Sequence, residues 1–140
     1  MKITAQWLRE NGACHEGRAW FSAQKEANLI KVARKLVNQD HLDWANWVIT
    51  RAMPPKQKVA YAVYAAKRAL AFFEARYPDD VRPRNAIKAV ERFLKTGETA
   101  GLCNAANAAY AAAYADAANA GRKMKTKVTV YGLNLLRGRQ

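Results

Sequence analysis

The sequence predicts an all-α protein, a single-domain bundle of about six or seven helices with an alanine-rich helix near the C-terminus. Apolar residues recur at steps of three and four in several segments, and prolines and glycines separate those segments. Residues 98–121 are rich in alanine, which has the highest helix propensity. The chain has 140 residues, which fits one domain able to bury roughly 68% of the surface that the unfolded chain exposes.

Composition limits the classes of protein. Cys14 and Cys103 are too few and too far apart for a disulfide framework or a four-ligand zinc site, so we expect a reduced, cytoplasmic protein without cofactors. The first ten residues lack the apolar core of a signal peptide, and no apolar run reaches about eighteen residues, so no membrane anchor is expected. The net charge of +13 favours an acidic protein or a nucleic acid as partner.

Residues 1–26 predict an N-terminal extension of two short helices, the first built on Ile3, Trp7 and Leu8 and the second around Trp20 and Phe21. Between them, an Asn-Gly pair marks the break.

Cys14 stands beside His15 at the start of the second helix, a pairing that suggests a nucleophile or a metal site. Adjacent residues on a helix face different directions, and no third ligand or orienting carboxylate is suitably spaced. We therefore predict no catalytic or metal role, and we predict that Cys14 is a small buried apolar residue.

Residues 28–121 are expected to form the helical core of the protein. Residues 28–37 predict its first helix. Four apolar residues share one face: Leu29, Val32, Ala33 and Leu36. The opposite face is basic, either solvated or in contact with phosphate, and carries Lys31, Arg34 and Lys35.

Residues 42–53 predict a helix that is apolar on two sides. One stripe contains Leu42 and Ile49, and the other contains Trp44 and Trp47. The second stripe either packs inside the protein or contacts a partner. Asn46 and Arg51 are expected to supply partners for the indole N–H groups.

Residues 59–95 predict a helical hairpin. Its first helix has a stripe from Val59 to Tyr77, Pro78 ends that helix, and the second helix begins near Arg82 and runs to Lys95. The residues expected to form the structural turn are Glu74, Pro78, Asp79, Asp80 and Pro83.

Two interpretations of this charged turn remain open. In the structural one, Asp79 or Asp80 caps the second helix and the arginines pair with Glu74 and the helix ends. In the functional one, Arg82 and Arg84 bind carboxylates or phosphates of a partner. An exposed turn lacks the cleft that acid–base catalysis requires, so we do not expect an enzyme.

Residues 122–140 predict a basic C-terminal helix or tail, and this segment contains no acid. The local preference of valine and threonine for strands competes with a helical spacing, and we choose a helix. Its basic residues are the candidate nucleic-acid contacts: Lys123, Lys125, Lys127, Arg137 and Arg139, with Arg122 at the start.

Three segments carry a resemblance to a known family: residues 42–53, the run Phe-Glu-Ala-Arg-Tyr-Pro-Asp-Asp-Val-Arg-Pro-Arg of the hairpin, and the alanine-rich segment. Together they resemble the all-α immunity proteins of bacterial polymorphic toxin systems, which also occur as small phage and prophage proteins. The likeness covers about residues 29–119, and the basic C-terminal segment lies outside it. The resemblance implies a protein that binds and neutralises another protein without catalysis.

Three hypotheses follow. The first is a protein-binding inhibitor of the immunity or phage anti-defence type, which binds an acidic partner through Trp44, Trp47, Arg51, Arg82 and Arg84. The second is a nucleic-acid binder without sequence preference, which uses the C-terminal basic residues. The third is a self-associating module that forms a homodimer through the two-sided tryptophan helix.

Overall fold

The computed structural model describes residues 1–96 and 121–138. These residues contain seven α-helices. They are α1 (Ala5–Glu10), α2 (His15–Ser22), α3 (Leu29–Asn38), α4 (Leu42–Ala52), α5 (Pro55–Arg76), α6 (Arg82–Thr96) and α7 (Arg122–Leu136). The all-α prediction is confirmed. Nearly all of the alanine-rich segment lies outside the described residues. Within the described ranges, no helix is long and apolar enough to span a membrane.

Side-chain caps begin three of these helices. The Thr4 hydroxyl accepts the Trp7 N–H at 3.0 Å, and the Asn28 side chain accepts the Lys31 N–H at 3.2 Å. Such caps satisfy backbone donors that the first turn of a helix leaves free. Cys14 has the same role in α2, where its sulfur accepts the Gly17 N–H at 3.3 Å. Cys14 is exposed, so the prediction that it is buried is wrong.

The first four residues do not belong to a helix, although the sequence places Ile3 in the first one. The Ile3 N–H donates to the Ala27 carbonyl at 2.8 Å, and the Leu29 N–H donates to the Met1 carbonyl at 3.1 Å. The extended N-terminal segment is therefore bound to the start of α3. Ile3 is buried in the same core as the later helices, so residues 1–26 pack as part of the bundle.

The basic C-terminal segment is a helix in the centre of the bundle. Helix α7 packs against α3, α4 and α5, and Val128 and Leu133 are among its buried residues. The prediction of a helix is confirmed, and the alternative of a tail is wrong as far as Leu136. Tyr131 of α7 stacks on Tyr64 of α5 with ring centroids 3.8 Å apart.

Tyr61 is the largest fully buried side chain of the described residues and lies where α4, α5 and α7 meet. Its hydroxyl donates to the side-chain oxygen of buried Asn46 at 2.7 Å. The prediction that Asn46 supplies a partner for the indole N–H groups is therefore wrong. Gly132 of α7 allows the close approach, because a Cβ there would lie 2.8 Å from the Tyr61 ring and 2.9 Å from Ile49.

Helices α5 and α6 form the predicted hairpin. Helix α5 presents Tyr61 to the main core and Val59 to a smaller cluster with Phe93 of α6. Among the described helices, α6 packs mainly on α5. The hairpin therefore projects its turn, residues 77–81, away from the contacts that hold the remaining helices together.

Candidate functional site

The turn between α5 and α6 is braced by two ion pairs. Arg84 donates to Glu74 at 2.7 Å, which joins α6 to the last turns of α5. Arg82 donates to both carboxylate oxygens of Asp80, at 2.9 and 2.7 Å. The two-point geometry of the second pair matches a guanidinium to a carboxylate. We call these two contacts the turn brace.

The backbone of α6 takes part in the brace. The Arg82 N–H donates to Asp80 Oδ1 at 3.1 Å, so Asp80 satisfies the first backbone N–H of α6, in keeping with the structural interpretation. Hydrogen bonds from the Arg82 side chain and backbone lower the pKa of Asp80 from 3.8 to about 2. The Arg84 hydrogen bond likewise lowers the pKa of Glu74. Both carboxylates are therefore charged at neutral pH.

Exposed apolar side chains surround this braced turn. The exposed fractions are 58% for Phe72, 49% for Tyr77 and 52% for Val81. Phe72 shares a helix face with Arg76, four residues later, and the Arg76 guanidinium carbon lies 5.7 Å from the Tyr77 ring centroid. We call these four residues the tip surface. The predicted apolar stripe of the first hairpin helix ends at Tyr77, but about half of this side chain is exposed.

The other proposed partner-binding residues lie elsewhere on the protein. Trp47 packs edge to face with Trp7, with ring centroids 5.9 Å apart, and Trp44 packs edge to face with Trp20, with ring centroids 6.5 Å apart. Arg51 lies over the Trp47 ring at 5.9 Å. The second apolar stripe of α4 therefore contacts the protein's own α1 and α2, as the core interpretation predicts.

The packing of α1 and α2 on α3 and α4 leaves a cavity of about 310 Å³. Indoles and other apolar groups line most of it, including Trp20, Phe21, Trp44 and Trp47, and Asp43 is the charged residue among the lining groups. The cavity is within the range of small-molecule sites, at its lower end.

The two histidines lie in different surroundings. His41 stacks on Trp44 with centroids 4.6 Å apart, and His15 is exposed next to Cys14. In the part of the chain that can be described, no three or more His, Cys, Asp or Glu side chains are grouped to hold a metal ion.

The basic residues of the C-terminal segment are partly neutralised by the protein itself. Arg122 pairs with Asp40 at 2.8 Å, and Lys125 pairs with Asp43 at 3.2 Å. Lys123 and Lys127 are exposed on α7. Arg137 is also exposed, and Arg139 lies outside the described residues.

A second basic surface, which was not predicted from the sequence, lies on α6. Lys88, Arg92 and Lys95 are exposed and lie on successive turns of one helix face. None of the three forms an ion pair with an acid among residues 1–96 and 121–138. Their spacing of four and three residues is visible in the sequence, but the predicted nucleic-acid contacts were all placed within residues 122–140.

Comparison with known proteins gives no relative: no family model, no curated protein and no solved structure matches the chain. The fold and the surfaces described above therefore carry the functional argument, together with the resemblance in the sequence.

Proposed function

We propose that this protein is a non-catalytic inhibitor of the immunity or phage anti-defence type, which neutralises an acidic partner protein by binding it through the tip surface. The observation that carries the proposal is the group of three exposed apolar side chains, Phe72, Tyr77 and Val81, at one end of a braced helical hairpin. The resemblance of the same hairpin to immunity proteins supports it.

The composition of the tip surface suits a protein interface. Aromatic residues and arginine are enriched in interfaces, and they dominate the residues whose truncation costs the most binding energy. The tip surface combines Phe72 and Tyr77 with Arg76, whose guanidinium lies against the Tyr77 ring. Contacts of this kind hold a long side chain in place and reduce the entropy lost on binding.

The turn brace supports binding in the same way. Arg82 and Arg84 each bind an acid of the same hairpin, so they fix the geometry of the turn before a partner arrives. A surface that is ordered before binding loses less conformational entropy in the complex. In this proposal the arginines of the turn position the tip surface, and the exposed apolar side chains supply most of the affinity.

The charge of the chain indicates the partner's chemistry. The net charge is +13, and three exposed cations of the hairpin lie on α6: Lys88, Arg92 and Lys95. A positive field accelerates association with an acidic surface and weakens association with a basic one. We therefore assign the partner an acidic binding face.

The experiment compares partner capture by three forms of the protein. The three forms are the wild type, a double variant that combines Phe72→Ser and Val81→Ser, and the control variant Val130→Ser. Each form is immobilised and exposed to lysate from toxin-bearing or defence-bearing bacteria. Val130 is a suitable control because it is exposed on α7 and not on the hairpin. A captured protein is then purified and its affinity for each form is measured.

We expect the wild type and the control to bind equally and the double variant to bind roughly 30-fold more weakly. Half-burying each of two side chains is worth about 1 kcal/mol, and about 1.4 kcal/mol corresponds to a tenfold change. Equal binding by all three forms would refute the role of the tip surface. Failure of the wild type to retain any protein would refute the inhibitor assignment.

Nucleic-acid binding is the second candidate, and the basic face of α6 is the observation that favours it. DNA-duplex titrations compare two double variants. One combines Lys88→Glu and Arg92→Glu on α6, and the other combines Lys123→Glu and Lys127→Glu on α7. If α6 contacts phosphates, the first variant should bind more weakly and give a flatter dependence of affinity on salt, by roughly one unit of slope for each lost contact. No binding by the wild type at low salt would exclude this candidate.

A further inference from the structure

Small residues at the junction of α1 and α2 leave the cavity of about 310 Å³ between these helices and α3–α4. The junction and the first turn of α2 contribute lining residues with little or no side chain: Gly12, Ala13, Cys14 and Gly17. Helices α3 and α4 contribute larger apolar side chains: Val32, Leu36, Trp44, Trp47 and Val48. The side chains of the junction are too small to fill the space between the two groups.

The polar side chains in the lining are bonded within the protein or open to solvent. The Trp20 indole N–H donates to Gln39 at 3.0 Å, and the Cys14 sulfur accepts a backbone N–H at 3.3 Å. Asp43 is exposed and pairs with Lys125. Among the described side chains of the lining, none buries a nitrogen or oxygen atom that lacks a hydrogen-bond partner. The described lining therefore contains no buried polar group that would select a charged or hydrogen-bonding ligand.

Water is held weakly in a space of this kind. A buried water molecule typically makes about two to four hydrogen bonds to polar groups, and cavities lined by apolar side chains hold it poorly. An apolar molecule that enters gains by leaving bulk water and displaces no firmly bound water. Gly12, Cys14 and Asp43 are exposed members of the lining, so the cavity opens to solvent and can be entered without unfolding.

We propose that this cavity binds a small, neutral, apolar ring compound that is free in solution. Four aromatic side chains line it: Trp20, Phe21, Trp44 and Trp47. Contacts between aromatic rings contribute more than the burial of their area alone, which favours a ring over an acyl chain as the occupant.

The size of the cavity fits this class of ligand. An apolar cavity of about 150 Å³ holds a benzene molecule. The volume of about 310 Å³ here is roughly twice as large, so a substituted ring or two fused rings can be accommodated. The described lining contains no residue of α5 or α6, so this site is distinct from the tip surface.

The test compares two compounds of the same shape, tert-butylbenzene and phenyltrimethylammonium, in which a charged nitrogen replaces the quaternary carbon. Binding is followed by the NMR signals of the indole N–H groups of the purified, isotope-labelled protein. We expect tert-butylbenzene to shift the signals of Trp20, Trp44 and Trp47 more than that of Trp7, which does not line the cavity. Phenyltrimethylammonium should bind at least about tenfold more weakly, because the cavity does not compensate for the hydration that the charge loses.

A variant that fills the cavity, with a matched control, locates the site. Ala13→Leu should weaken the binding of tert-butylbenzene at least about tenfold, because the added carbons occupy the space that Ala13 lines. Ala19→Leu should leave the affinity unchanged, since Ala19 is exposed on α2 and does not line the cavity. The urea midpoint of Ala13→Leu should be no lower than that of the wild type, because the added carbons enter free space. Asp43→Asn should not change the affinity for this neutral compound.

Several results would overturn the proposal. Unshifted indole signals at the solubility limit of tert-butylbenzene would exclude binding at this place. Equal or tighter binding of phenyltrimethylammonium would mean that the cavity does not select a neutral ligand. Unchanged binding by Ala13→Leu, or a lower urea midpoint for this variant, would show that the free space is not where it is described. Shifts of the same indoles by octanoate and not by tert-butylbenzene would assign the cavity to an acyl chain, and the ring compound proposed here would be wrong.

Discussion

Gly132→Ala tests the packing at the centre of the bundle. On an exposed helix this change stabilises a protein by about 0.5–1 kcal/mol, because alanine restricts the unfolded chain. At Gly132 the added Cβ would lie 2.8 Å from Tyr61 Cε2 and 2.9 Å from Ile49 Cγ2, closer than carbon atoms pack. Tyr61 has little freedom to move because it is fully buried and bonded to Asn46.

The size of the effect follows from these two opposing contributions. Overpacking a buried site typically costs 1–3 kcal/mol, so we expect Gly132→Ala to lower the free energy of unfolding by roughly 1–2 kcal/mol net. Gly17→Ala is the matched control: it also lies within a helix, and its added Cβ would meet only the Cys14 sulfur, at 3.2 Å. The free energy of unfolding of both variants is measured by urea titration, monitored by circular dichroism.

The control should be nearly neutral or stabilising. If Gly132→Ala were as stable as Gly17→Ala, or more stable than the wild type, α7 could not lie against Tyr61 and Ile49 as described. A change in the slope of the free energy of unfolding against urea concentration would show instead that Gly132→Ala changes the compactness of the folded or the unfolded state.

Two further predictions concern hydrogen bonds. Tyr61→Phe should lower the free energy of unfolding by about 1–3 kcal/mol in urea titrations, because the buried Asn46 oxygen loses its donor; no loss would mean that this contact is absent. The Asp80 carboxylate, with its pKa lowered from 3.8 to about 2, contributes stability that is present above about pH 3.8 and is lost as the pH falls toward 2. Arg82→Gln should therefore flatten the dependence of the urea midpoint on pH in that window, and Asp79→Asn should not.

Helical periodicity predicted the packing faces wherever a helix has a single buried side. All four apolar residues expected on one face of α3 are buried, among them Val32 and Leu36. Helix α5 is different, because it lies between α6 and the main core and buries two faces. The single stripe predicted from Val59 to Tyr77 did not include Tyr61 or the small residues that share its face.

Local chemistry outweighed residue type at two positions. Cysteine is on average a buried residue, but Cys14 precedes the first turn of α2, where an acceptor for a free N–H group is needed and the end of the helix is exposed. Tyr77 continues the apolar spacing of α5, but Pro78 ends the helix there and no described element covers the ring. Spacing identifies a face, and only the packed neighbours decide whether that face is covered.

The position of α7 decides how the function of the basic C-terminal segment can be tested. Its cations and its core residues alternate, as in Lys123, Met124, Lys127 and Val128. Deleting residues 122–140 would remove buried side chains from between α3, α4 and α5, so any loss of binding would follow from unfolding. Charge reversal at Lys123 and Lys127 leaves the buried face unchanged. Loss of nucleic-acid binding in that variant, with an unchanged urea midpoint, would therefore assign the binding to the charge of α7.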